Sequence, residues 1–262
     1  MRFSIVTPVF NGMPWLAEAV ASIEDQRASV DVEHLVLDGG STDGTREWLR
    51  ARPDANRRDV FERDTGQTDA LIRGFELATG DVFGWLNADD LLEPGALALV
   101  QRAFEAQPAA VIVSGASHII DPDGRITGRI QTPPVGTLRG LLHHPTNLAQ
   151  PATFFRASAY RSIGGVDRRY DLAMDVDLWM RLAALGDVVL LPDKELASFR
   201  IHGTAKSVVG ATSAIREDFD SRRRAGLPLW SRTARYFIWH GYVKPVLRAV
   251  RDRARRGRFP AT

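Results

Sequence analysis

Apolar, β-rich runs alternate along this chain with segments of helical periodicity, and the early runs each end in a cluster of Gly, Asn, Asp, Pro or Thr. This alternation constrains the fold more than any single motif. Strand–helix units repeated in one direction build a parallel sheet with helices on both faces. Residues 3–9, 32–37, 60–62, 81–86 and 110–114 read as the strands. Trp15, Leu16, Ala19, Val20 and Ile23 recur at helical spacing, and residues 41–50, 69–78 and 95–106 read as further helices. Between 117 and 150 the pattern weakens, as an irregular excursion or mobile loop would. Order returns with strands near 152–155, 188–191 and 197–201 and a helix around 175–185; beyond 213 the chain reads as helical and basic.

Charge divides the chain unevenly. Residues 222–258 hold 12 Lys/Arg against the single acid Asp252, while the remainder holds 22 basic and 31 acidic residues. The absence of cysteine excludes disulfides and thiolate metal sites. Residues 1–8 contain no apolar run long enough for a signal peptide, and no stretch approaches the roughly 18–20 apolar residues of a membrane span. A cytosolic protein is expected, with the basic segment able to place it peripherally on the inner face of the membrane.

In an open parallel sheet ligands bind at the carboxyl ends of the strands. The polar clusters fall there: Thr7-Pro8 and Asn11, Asp38-Gly39-Gly40-Ser41, Asp64-Thr65-Gly66-Gln67, and Asn87-Ala88-Asp89-Asp90. Each alone also reads as turn and capping chemistry; four on one rim point to a nucleotide site. The adjacent carboxylates Asp89 and Asp90 repel, and a hard cation, Mn²⁺ or Mg²⁺, would relieve that while leaving sites free for phosphates. A solvated Asp-Asp helix cap is the alternative for the pair taken alone.

These residues also carry a resemblance. Thr7-Pro8-Val9-Phe10-Asn11, Asp38 to Thr45, Gly66-Gln67-Thr68-Asp69-Ala70 to Gly74, Ala78 to Asp90 through Trp85-Leu86-Asn87, and Met174-Asp175-Val176-Asp177-Leu178-Trp179-Met180-Arg181 stand in the order found in family 2 glycosyltransferases. The resemblance covers about residues 1–210. It implies a GT-A fold, Rossmann-like and doubly wound with a mostly parallel sheet, here with a C-terminal helical extension. Residues 1–212 would form the transferase domain, with a nucleotide-sugar half at 1–115, an acceptor half at 116–212, and a basic aromatic tail at 213–262.

Carried over by position, the resemblance makes Thr7, Pro8, Phe10 and Asn11 the lining of a base pocket, with Asp38, Gly39 and Ser41 beside base and ribose. The family often has a second acid where this chain has Gly39. Asp64, Gln67 and Arg73 would sit over ribose and diphosphate. Asn87-Ala88-Asp89 would occupy the Asp-x-Asp position, with Asp89 first and Asp90 second as metal ligands and His202 near the ion or diphosphate. Lys206 and Ser207 would close over the phosphates. Asp175 matches the catalytic base of an inverting displacement, although alone it reads as a helix-start acid; Asp177 would cap or pair with Arg181. His143 and His144 read as loop residues, with acceptor contact as the alternative.

The implied activity is sugar transfer from a nucleotide-diphosphate donor, a UDP-sugar favoured, to a glycan or lipid-linked acceptor in cell-surface polysaccharide synthesis. A non-catalytic nucleotide- or glycan-binding scaffold and a sugar-nucleotide pyrophosphorylase are the competing readings. In the tail, Trp230, Tyr236, Phe237, Trp239 and Tyr242 interleave with Arg232, Arg235, Lys244 and Arg248. This suits either an anionic membrane surface or a helix packed on the domain; no nucleic acid is expected.

Overall fold

The computed structural model describes residues 1–144, 148–203, 211–245 and 247–248. Its first half follows the alternation: β1 (Arg2–Val9), α1 (Leu16–Glu24), β2 (Asp31–Asp38), α2 (Thr45–Arg50), β3 (Arg57–Phe61), α3 (Gln67–Leu77) and β4 (Val82–Trp85). A two-residue β5 (Leu91–Leu92), α4 (Ala96–Ala106), β6 (Ala110–Ile120), β7 (Ile126–Ile130), α5 (Leu138–His143), β8 (Thr153–Arg156) and α6 (Ala157–Ser162) follow. The chain continues through α7 (Met174–Ala183), β9 (Asp187–Arg200), α8 (Ala211–Arg224) and α9 (Arg232–Ile238).

The strands form one sheet ordered β3-β2-β1-β4-β8-β6-β9-β5, with β7 on β6. β1 pairs in parallel with β2 and β4, and β2 with β3. β8 runs antiparallel between β4 and β6, so β6 and its parallel partner β9 keep the direction of β4. Most of the sheet therefore points its strand ends at one rim.

Neighbouring residues face opposite layers, as the two-residue period of a strand requires. Val6, Phe83 and Phe155 join one core with Leu71, Phe75 and Trp179. Ile5, Val82 and Phe154 join the other with Leu97, Val100 and Phe104. Burial on both faces is why these strands read as largely apolar runs rather than alternating ones. Gly74 lets α3 close on β1, since a Cβ there would lie 2.4 Å from Val6 Cγ1.

Three expectations need correction. The region 117–150 is not one irregular excursion: β6 continues to Ile120 and a hairpin returns it as β7. β7 alternates exposed with half-buried residues, so it has no apolar face to announce it. The two late strands are one, β9, whose pairing with β6 jumps from Gly115↔Leu191 to Ala116↔Glu195. That bulge absorbs Pro192, which a continuous ladder would exclude.

The divisions expected at 115 and 212 do not appear in the packing either. The first falls inside β6, and after the second, Leu227 and Ala234 enter the same core as Phe75 and Trp179. Arg222, counted in the basic tail, is wholly buried. It pairs with Asp218 and donates to the carbonyls of Leu142 (3.3 Å) and His144 (2.8 Å).

Candidate active site

The ends of β1 and β2 are laced together. Asn11 takes a left-handed backbone (φ 54°), which its short polar side chain tolerates. Its N–H donates to Ser41 Oγ at 2.7 Å, and its Oδ1 accepts the N–H of Thr42 at 2.9 Å. Met13 N–H reaches Asp43 Oδ2 at 2.9 Å. Asp38, buried, accepts from the N–H groups of Ser41 (3.1 Å) and Gly40 (3.3 Å) and pairs with Arg46. Asn11, Asp38 and Ser41 thus shape the rim through hydrogen bonds to one another's loops.

Thr7 lies beneath that rim, fully buried, with Oγ1 2.9 Å from His34 Nε2. Burial drives the His34 pKa down to about 3, and Arg57 and Arg27 push the same way, so the ring is neutral at pH 7. Pro8 is also buried, and Ala88 packs with Val9, Leu16 and Val20 against α1. The side chains of Thr7, Pro8 and Ala88 therefore support the rim and do not line it. Phe10, 67% exposed, is the apolar ring presented to solvent there.

The missing acid at Gly39 has a structural counterpart. A Cβ at Gly39 would fall 2.5 Å from Asp64 Oδ2 and 2.9 Å from its Cγ. The carboxylate of Asp64, arriving from the end of β3, occupies the space that a side chain at position 39 would need. Burial raises the pKa of Asp64; the Gly66 N–H opposes this and nearby Asp38 adds to it. With Leu37, Val60, Arg73 and Arg168 it lines a cleft of about 230 Å³. Arg73 also meets Glu62 (3.5 Å) and Glu76 (3.7 Å), exposed pairs of little energetic weight.

At the end of β4 the amide of Asn87 is saturated. Its Oδ1 accepts from Gln67 Nε2 and Trp85 Nε1, both at 2.7 Å. Its Nδ2 donates to Asp90 Oδ2 (3.0 Å) and Gln150 Oε1 (3.1 Å). An amide in this position organises four neighbours, which an aspartate, having no donor, could not do.

Asp90 corrects an expectation. It has no exposed surface; Oδ1 accepts the N–H of Arg200 at 3.0 Å and Oδ2 accepts from Asn87. Burial, reinforced by Asp89, holds its pKa well above the carboxylate range. A carboxyl so enclosed is not placed to coordinate an ion at the rim. Asp89 is: its side chain is 28% exposed, and Oδ2 stands 2.8 Å from His202 Nε2. The His202 ring packs on Trp15 with centroids 4.3 Å apart. Arg200, buried, ties the corner together through Asp89 O (2.9 Å), Glu18 Oε2 (2.6 Å) and Pro122 O (3.0 Å).

Among the described residues no three His, Asp or Glu side chains gather as a metal cage. Asp89 and His202 are the rim side chains that would hold a divalent ion, with phosphate oxygens and water free to complete its shell. Lys206 and Ser207 lie outside the described residues.

Asp175 sits in the first turn of α7, where the helix dipole would lower its pKa. Burial wins. The pKa is raised to about 6 by desolvation, opposed by backbone N–H groups and reinforced by Asp218 and Glu217. Asp177 pairs with Arg181 at 2.6–2.7 Å, one turn on, as expected.

The start of α7 is stitched to the rim. Thr68, next to Gln67, places Oγ1 3.0 Å from Tyr170 O and 2.9 Å from Met174 Sδ. Glu217 of α8 holds the same loop from the other side, one oxygen accepting the N–H groups of Asp171, Leu172 and Ala173 at 2.8–3.0 Å. Neither contact has a local sequence signal, because each partner is more than 40 residues away. Glu217→Ala is expected to cost on the order of 2–3 kcal/mol, since three backbone donors lose their shared acceptor. A lower urea midpoint at unchanged slope would register this; an unchanged midpoint would show that the loop is held by other contacts. His143 and His144 lie near this corner, their carbonyls bound by Thr233 Oγ1 (2.7 Å) and Arg222.

Residues 4–164 match the model of glycosyl transferase family 2. A PGL/p-HBAD biosynthesis glycosyltransferase of Mycobacterium tuberculosis is 31% identical over 183 residues, covering 68% of each chain. A glycosyltransferase of Nostoc is 26% identical over 255 residues, covering 91% of this chain and 76% of its own. Among solved structures, S. aureus TarS in complex with UDP-GlcNAc superposes with a TM-score of 0.68 at 16% identity, over 87% of this chain and 68% of TarS. A Pyrobaculum calidifontis mannosyltransferase bound to GDP-Man and Mn²⁺ gives a TM-score of 0.63 at 19% identity, over 86% of this chain and 65% of its own. The chain belongs to glycosyl transferase family 2 and has the GT-A fold. The pyrophosphorylase reading falls away.

Proposed function

We propose that this chain is an inverting glycosyltransferase that moves a sugar from a nucleotide-diphosphate donor, with UDP-sugars favoured, to a glycan or lipid-linked acceptor. The observation that carries this reading is the pairing of two unlike carboxylates on one stitched rim. Asp89 is partly exposed and turned to His202; Asp175 is lifted to about 6 by burial, close to the pH at which a general base is most useful. The relative named for PGL/p-HBAD biosynthesis and the neighbours bound to UDP-GlcNAc and GDP-Man support the acceptor and donor classes.

In this reading Phe10 offers a flat surface to the base, and the Asp38 loop with Asp64 in the Gly39 notch meets base and ribose. Gln67 and Asn87 fix the rim under the diphosphate, with Arg73 at its edge. Asp89 and His202 would hold a Mn²⁺ or Mg²⁺ ion, which when bound neutralises charge on the departing diphosphate. Asp175 accepts the proton of the acceptor hydroxyl as that oxygen bonds to the anomeric carbon. The bond from that carbon to the diphosphate oxygen breaks on the opposite face, its electron pair leaving with the nucleotide. One displacement inverts the configuration.

Screening sugar nucleotides by thermal shift with Mn²⁺ tests the donor class. A ligand at about 100 times its Kd adds about 2.7 kcal/mol to apparent stability. Stabilisation by UDP-sugars together with slow Mn²⁺-stimulated hydrolysis is expected. Stabilisation with no turnover under any condition would favour the scaffold reading.

A further inference from the structure

The aromatic residues of the C-terminal segment separate into two sets. Phe237 is buried, stacked on Phe219 of α8 with centroids 6.0 Å apart, and Tyr242 meets Phe219 edge-on at 6.4 Å. Arg216 of α8 fixes the turn beyond α9 by donating to Gly241 O at 2.8 Å. The other set faces out: Trp230 is 82% exposed, and Tyr236 and Trp239 are exposed together with the aliphatic Leu229 and Leu247. Beside them stand the exposed cations Arg232, Arg235 and Lys244. From Ala225 to Arg248 the sequence contains no Asp or Glu.

We propose that this face, residues 229–245 with 247–248, is a docking surface for an anionic lipid bilayer. Large side chains held out in water by a packed scaffold mark an interaction site. Trp and Tyr, apolar with one polar tip, match the headgroup boundary. The exposed cations match anionic headgroups, each worth about a fivefold change in binding near such a surface. A second copy of the chain fits poorly, because a two-fold contact would set the same cations against themselves. Nucleic acid would use the aromatic rings but leaves no role for exposed Leu229 and Leu247. No described helix is long and apolar enough to cross a membrane, so the face lies on the bilayer.

The inference stands apart from the reading of the active site, because it concerns only this surface. α8 mounts the face through Phe219 and Arg216 and holds the entrance of α7 through Glu217.

Vesicle co-sedimentation of the full chain tests the proposal, using phosphatidylcholine alone and phosphatidylcholine mixed with phosphatidylglycerol. Binding is expected only with the anionic lipid and should fall at about 1 M salt, where the Debye length is about 3 Å. Trp230→Ser with Trp239→Ser, and separately Arg232→Glu with Arg235→Glu, should each lower partitioning at least tenfold, with thermal melting and donor hydrolysis unchanged. Absence of binding to anionic vesicles, or variants that bind like the parent, would overturn it. So would a parent dimer that the same variants convert to monomers, or tight binding to an oligonucleotide in place of vesicles. The lipid and salt comparisons use the unaltered chain, so they decide the matter even if a variant fails to fold.

Discussion

Asp175→Asn is expected to lower kcat by on the order of 10²–10⁴, the usual contribution of a general base, while donor affinity stays nearly constant. The pH profile should move with it. Only the ionised carboxylate can accept a proton, so kcat/KM of the parent should rise with pH through about 6 and then level off. The asparagine variant should lose that acid limb. Stability should respond in the opposite sense. A folded pKa above the unfolded value means that ionisation favours the unfolded chain as pH rises from about 4 through about 6. Asn has no such cost, so the variant should be no less stable than the parent above pH 6. A variant that keeps kcat but loses donor affinity would move Asp175 to a binding role. A variant that melts earlier at neutral pH would show that its carboxylate is structural.

The second large effect belongs to Asp89. Asp89→Ala should abolish detectable turnover and Mn²⁺-dependent nucleotide binding. Removing the carboxylate takes away charge stabilisation worth several kcal/mol, and about 4 kcal/mol corresponds to a factor of about 10³ in rate. The fold should persist, since Asp89 is partly exposed and its side-chain partner here is His202. Asp90→Ala should behave differently. Asp90 is buried between Asn87 and Arg200, so its loss leaves unsatisfied donors and should show first as lower stability. Full activity of the Asp89 variant, or of the parent in EDTA, would remove the metal from the account.

Much of this was legible in the sequence, and the reasons differ by residue. The strands β1 and β4 announced themselves because burial on both faces makes them largely apolar, and polar clusters at the strand ends pointed to the rim. The Asp177–Arg181 pair followed from helical spacing alone. What escaped were contacts made across the sheet. Asp89 and Asp90 are neighbours in sequence, yet one faces the rim and the other the interior, because β9 brings the Arg200 N–H to Asp90 and His202 to Asp89. The carboxylate that fills the notch at Gly39 comes from β3.

The sequence left the helical tail open between a membrane surface and a helix packed on the domain, for a related reason. Its charge pattern is local, but the burial of Arg222, Leu227, Ala234 and Phe237 depends on α5, α7 and α8 meeting it. Cutting the chain after Gly226 would therefore strip core residues and could not separate docking from folding; substitutions at the exposed Trp230 and Trp239 can.

The proposed reaction is a single displacement driven by Asp175 against a diphosphate leaving from the Asp89 rim. Its most direct measurement is proton NMR of the first-formed sugar released from an α-linked UDP-sugar in the presence of Mn²⁺, read before mutarotation. The β-anomer is expected, at a rate that collapses in Asp175→Asn. Release of the α-anomer at the parent rate would contradict it.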